Sequence, residues 1–150
     1  MTQVTGVARF ERFFRAAAGI DVDKDDLKRC HDFINQKIYD LLLIGQANAR
    51  ANDHDMVQPH DLPITKGLQE TIHQFRSLNE DLEMEPILEQ LASLPPLDIP
   101  ADDATQDWLP VIAGGLCVAL ARTFKIVDPK LVNPQTKHWE QAFRLFDLLL

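Results

Sequence analysis

With 150 residues, 45% of them hydrophobic, the chain can bury one ordinary core, or two small halves can share one. Its net charge of −8, from 15 bases against 23 acids, opposes affinity for phosphate chains, and two cysteines exclude a disulfide scaffold. The longest apolar stretch, the 14 residues Trp108 to Ala121, falls short of the roughly 20 needed to span a bilayer and reads as a buried helix.

In chain order, Met-Thr-Gln-Val-Thr-Gly at the start lacks the basic and apolar regions of a signal peptide. A reducing cytoplasm is therefore expected, with Cys30 and Cys117 as free, buried thiols. Val7 to Ala18 predicts a short amphipathic helix with Phe10, Phe13, Phe14 and Ala17 on one side, stopped by Gly19. Ile20 to Val22 follows as a short extended piece, and Asp23 or Asp25 caps a long helix. Cys30, Phe33, Ile34, Ile38, Leu41 and Leu42 recur in it at three- and four-residue spacing as far as about Asn52, giving a length of about 40 Å. Asn52 to Asp55 breaks it, Met56-Val57 is extended, and Pro59 opens a third helix to about Leu78, with Leu62, Leu68, Ile72 and Phe75 on its apolar side.

The second part repeats this plan. Met84 to Leu94 predicts a short helix stopped by Pro95-Pro96, and Leu97 to Ile99 is extended. A long helix follows from about Asp103 to Val127, then Leu131-Val132 extended. A last helix starts at Pro134, with Trp139, Phe143, Leu145, Phe146 and Leu149 available for packing. Pro110 predicts a late start or a bend in the long helix, since an interior proline disfavours helix by about 3 kcal/mol. The repetition is visible in the residues themselves. Ile20-Asp-Val-Asp-Lys-Asp-Asp26 lies over Leu97-Asp-Ile-Pro-Ala-Asp-Asp103 at an offset of 77, and Met56-Val-Gln-Pro-His60 over Leu131-Val-Asn-Pro-Gln135 at an offset of 75.

Short helix, short strand, long helix, short strand and short helix is the order of the histone fold. Met56-Val-Gln-Pro-His-Asp61-Leu62 resembles the core-histone segment in which an Asp four positions after an aliphatic strand residue leads the third helix. In that family an Arg seven positions earlier pairs with the Asp. Here that position is His54, whose hydrogen bond to Asp61 is the expected replacement, while Thr136 stands at the equivalent of Asp61 in the second half. Residues 7 to 150 also resemble a bacterial family of tandem (doublet) histone folds of uncharacterised function. The resemblance implies an all-α fold of two histone-fold repeats, 7–78 and 84–150, paired within one globular unit as the subunits of a histone dimer pair.

Histone-type DNA binding needs basic side chains at the paired loops, yet these carry Asp21, Asp23, Asp53 and Asp55, or Asp98, Asp102, Asp103 and Asp128. Residues 79 to 150 hold only 5 bases against 12 acids. Arg9, Arg12, Arg15, Lys24, Lys28 and Arg29 form the one basic patch, which reads first as a solvated face balancing its acids and second as a DNA contact. His31-Asp32, His54-Asp55 and His60-Asp61 offer metal-ligand chemistry of the kind metal-dependent hydrolases use, with His54, His60 and Asp61 as candidates. Two of those pairs sit in one interhelix break, where Asp serves as a cap, so no metal and no cofactor are expected. Trp108 and Trp139 read as core. The function expected is that of a non-enzymatic protein-interaction or assembly module, monomeric or weakly self-associating. A nucleoid-associated DNA binder is the alternative, and a metal-dependent hydrolase a distant third.

Overall fold

The structure is a computed structural model that describes residues 2–91 and 96–150, and it is all-helical. Its α-helices are α1 (Thr2–Ala18), α2 (Lys24–Ala51), α3 (Lys66–Leu82), α4 (Glu85–Leu91), α5 (Asp103–Val127) and α6 (Thr136–Leu149). The last residues of the predicted Met84 to Leu94 helix, with Pro95 of its stop, lie outside the described residues.

The helix ends follow from local chemistry. α1 buries Phe10, Phe13 and Phe14 and stops where Gly19 turns left-handed at φ +66°, its N–H donating to the Arg15 carbonyl at 2.8 Å. Of the two aspartates expected to cap α2, Asp23 does so. Its carboxylate accepts from the Asp26 N–H at 2.9 Å, while the Asp26 carboxylate accepts from the Asp23 N–H at 3.0 Å. α5 is capped instead by Asp102, which corresponds to Asp25 under the 77-residue offset; Pro100 stands where Asp23 would be.

Three expectations need correcting. Pro59 opens only a single 3-10 turn, Pro59–Asp61, and α3 begins at Lys66 with Thr65 as its cap. Pro63 is the reason: the residue before a proline avoids helical backbone, and Leu62 is extended at ψ 134°. Of the late start or bend expected from Pro110, the late start does not occur: α5 begins at Asp103, with Pro110 inside the helix and buried. The extended links form no strand among the described residues, only an isolated parallel bridge between Val57 and Ala101.

That bridge joins the halves. The Val57 N–H donates to the Pro100 carbonyl at 2.8 Å, and the Val57 carbonyl accepts from the Asp102 N–H at 3.0 Å and from the Thr105 hydroxyl at 2.8 Å. Nearby, the Ile99 N–H donates to buried Gln46 at 2.9 Å. The opposite pair of links meets where the Asp21 N–H donates to the Val132 carbonyl at 2.7 Å. Each half thus lends its first link to the other's second, in a different register on the two sides.

The core is organised around α5, buried almost continuously from Leu109 to Ala121. By length and composition this helix could cross a membrane, but most of its apolar stretch is buried inside the protein. Its closest neighbour is α3, at Gly114 and Gly115. A Cβ on Gly114 would sit 2.3 Å from the Phe75 ring, and one on Gly115 2.5 Å from the Ile72 side chain and 3.1 Å from its backbone. These glycines set the interhelix distance.

Candidate interaction surface

α6 packs on the body through Trp139, whose ring meets Phe124 edge-on at 4.9 Å, and through Phe143, stacked on Phe33 at 5.3 Å. Its outer end is tied down by Asp147, which pairs with the buried Lys37 ammonium of α2. Beyond these contacts, the C-terminal turns of α5 and α6 and the first turns of α3 leave a groove of about 570 Å³. Leu68, Ala119, Phe146 and Leu149 are among its apolar lining, with Glu70 and Arg122 bringing charge to it. Gly67 contributes open space, since a Cβ there would meet nothing within 4 Å.

The rim is apolar as well. Ile126 is 77% exposed and Leu149 74%, with Val127 and Leu145 also exposed beside them. Leu145 and Leu149 were expected to pack; the structure leaves both in solvent. Scattered exposed leucines are ordinary; several apolar residues exposed together at the mouth of an apolar groove are less so, and make it the candidate surface. The run Leu148-Leu149-Leu150 is the signal that sequence reasoning passed over, because seven apolar residues in the 14 of α6 exceed what one buried face can absorb.

Of the three candidate metal residues, His54 and Asp61 are bonded to each other. His54 Nδ1 lies 2.9 and 3.1 Å from the two carboxylate oxygens of Asp61, the pairing that the histone resemblance implies. Asp61 is 1% exposed and also accepts the Gln58 N–H at 2.8 Å. Burial pushes its carboxyl up, but the Gln58 N–H and the His54 imidazole outweigh it and hold it below the ordinary carboxylate range. His60 is exposed on the 3-10 turn, and among the described residues no group of three His, Cys, Asp or Glu side chains is placed to hold a metal.

The basic patch is half occupied. Arg9 donates to the Glu83 carbonyl at 3.3 Å, Arg15 pairs with Asp21 at 3.2 Å, and Arg29 pairs with Asp26 at 3.5 Å while donating to the Thr136 hydroxyl at 2.8 Å. Arg12, Lys24 and Lys28 are exposed. Asp26 itself is pushed above the ordinary range, first by burial and in part by the Asp23 charge, against the Asp23 N–H and Arg29. The Trp139 indole N–H is buried without a hydrogen-bond partner among the described residues.

Residues 10–147 match the family described as a domain of unknown function, DUF1931. Two uncharacterized proteins of Aquifex aeolicus (strain VF5) are similar to the chain. One is 26% identical over 125 residues, covering 83% of this chain and 73% of that protein; the other is 27% identical over 135 residues, covering 81% and 78%. Among solved structures, the crystal structure of a Thermus thermophilus protein is 53% identical, with a TM-score of 0.85 over 96% of this chain and 97% of that one. The 1.9 Å crystal structure of protein AQ328 from Aquifex aeolicus is 23% identical with a TM-score of 0.85 over 97% and 95%, a likeness in fold alone.

Proposed function

This chain belongs to the DUF1931 family, and we propose that it is an intramolecular pair of histone folds acting as a non-enzymatic, cytoplasmic interaction or assembly module. The repeated helix order, the reciprocal contacts between first and second links, and the His54–Asp61 pair in place of a histone Arg–Asp pair support the pairing. Each half already has its packing partner in the same chain, which favours a monomer or weak self-association.

The groove at the C-terminal ends of α5 and α6 carries the functional reading. Its size suits the apolar side of a partner's amphipathic helix, and Ile126, Val127 and Leu149 offer the surrounding apolar contact. Placing lysine at Ile126 and Leu149 tests it without touching the core, since both are exposed. The double variant should keep the thermal midpoint of the parent and lose at least about tenfold of the partner protein retained in affinity capture, roughly the 1.4 kcal/mol of one good apolar contact. Equal retention by both proteins would contradict the reading.

DNA binding stays as a second reading because Arg12, Lys24 and Lys28 are exposed. Duplex binding that weakens steeply between about 50 and about 200 mM salt and disappears when Arg9, Arg12 and Arg15 are all alanine would favour it.

A further inference from the structure

The chain has two cysteines, 87 positions apart, on the two longest helices, and folding brings them together. Cys30 of α2 and Cys117 of α5 are 0% and 2% exposed, and their sulfurs are 3.5 Å apart. Neither occupies the repeat-equivalent position of the other, so the contact belongs to the crossing of the helices and not to the repeat. A disulfide requires an S–S distance of about 2.05 Å, so closing the bond asks each sulfur to move by less than about 1 Å.

We propose that Cys30 and Cys117 are a latent disulfide that clamps the two halves together when the protein meets an oxidant. The oxidant is a small disulfide, written RSSR. One cysteine thiolate attacks it, forming a mixed disulfide and releasing RS⁻. The second thiolate then displaces the remaining RS⁻, leaving a Cys30–Cys117 bond. Each RS⁻ takes up one proton, matching the two the cysteines gave up, so two thiols and RSSR become one protein disulfide and two RSH.

The closed protein resists this reaction. Contact with Cys117 and burial push the Cys30 thiol well above its ordinary range, so little thiolate forms, and a small disulfide cannot reach buried sulfur. Oxidation therefore proceeds through openings of the α2–α5 crossing, and once formed the bond is shielded from reductant. In a reducing compartment the pair stays as thiols; under oxidative stress it records each opening by preventing the next.

The test uses the full chain, reduced and then exposed to oxidised glutathione in buffer or in about 2 M urea before dilution. Intact mass and a non-reducing peptide map should show the loss of two hydrogens and a Cys30–Cys117 link, formed faster in urea. The linked monomer should unfold at a urea concentration about 1–2 M higher, reversed by dithiothreitol, because the bond closes a long loop. A Cys117→Ala variant should form no such link and show no shift. Glutathione adducts or intermolecular dimers as the only products, no loss of hydrogens in either condition, or a linked monomer with a lower midpoint would each overturn the proposal.

Discussion

Gly115→Ala should lower the stability of the protein by about 2–3 kcal/mol, and its thermal midpoint by about 4–12 °C. On propensity alone the change would favour the helix by about 1 kcal/mol, because glycine is the poorer helix former. Contact geometry decides against propensity. The added carbon would lie 2.5 Å from the Ile72 side chain and 3.1 Å from its Cα and amide nitrogen, so α3 as a whole must retreat from α5. At Gly114 the obstacle is the Phe75 ring at 2.3 Å, buried against Phe13 at a centroid distance of 5.9 Å, which leaves the ring little room to swing aside. Gly67→Ala, where a Cβ meets nothing, is the internal control and should be neutral or mildly stabilising. Chemical denaturation of the two variants measures this, and an unchanged Gly115→Ala protein would mean that α3 and α5 pack less closely.

The second large effect is at the interhelix break. Asp61→Asn should cost about 2–3 kcal/mol at pH 7, since it removes a buried charge that accepts hydrogen bonds from Gln58 and pairs with His54. The pH dependence has a definite sign. Asp61 is held below the ordinary carboxylate range in the folded protein, so as pH falls through that range the unfolded chain takes up the proton first. Its contribution is complete above the ordinary range and declines as pH drops towards the depressed folded value. Wild type and variant should therefore differ most near neutrality and converge in acid, as read from urea midpoints across pH. Asp26 works in the opposite sense: its raised carboxyl disfavours the folded state as pH rises through the ordinary range.

How far the sequence could be read depended on whether a signal was local. The long helices were legible because their caps and spacing are local; the expected bounds of α5 match the structure, and α2 ends at Ala51 where Asn52 caps it. The His54–Asp61 bond was legible through the histone resemblance, in which the position of His54 holds the partner of the Asp. Pro59 misled because proline at a first turn looks the same whether the turn grows into a helix or stops after three residues, and only Pro63 distinguishes the two. Reciprocal contacts between the halves, the sulfur contact and the groove were not legible. Periodicity tells which face of a helix is apolar but not what that face meets, so Leu145 and Leu149 counted as available for packing alongside Trp139 and Phe143, although they stay exposed at the groove.

The central claim, that two similar halves complete one another within a single chain, is tested most directly by dividing the chain between Leu82 and Glu83. α5 lies in the second half but packs most on α3 of the first, with further contacts to α1 and α2, so each fragment alone lacks the wall of its own core. Circular dichroism and sedimentation of the fragments, separate and mixed, give the reading. The proposed pairing predicts that neither fragment melts cooperatively as a monomer and that mixing restores the helical signal in a 1:1 complex. Two fragments that fold independently and ignore one another would contradict it.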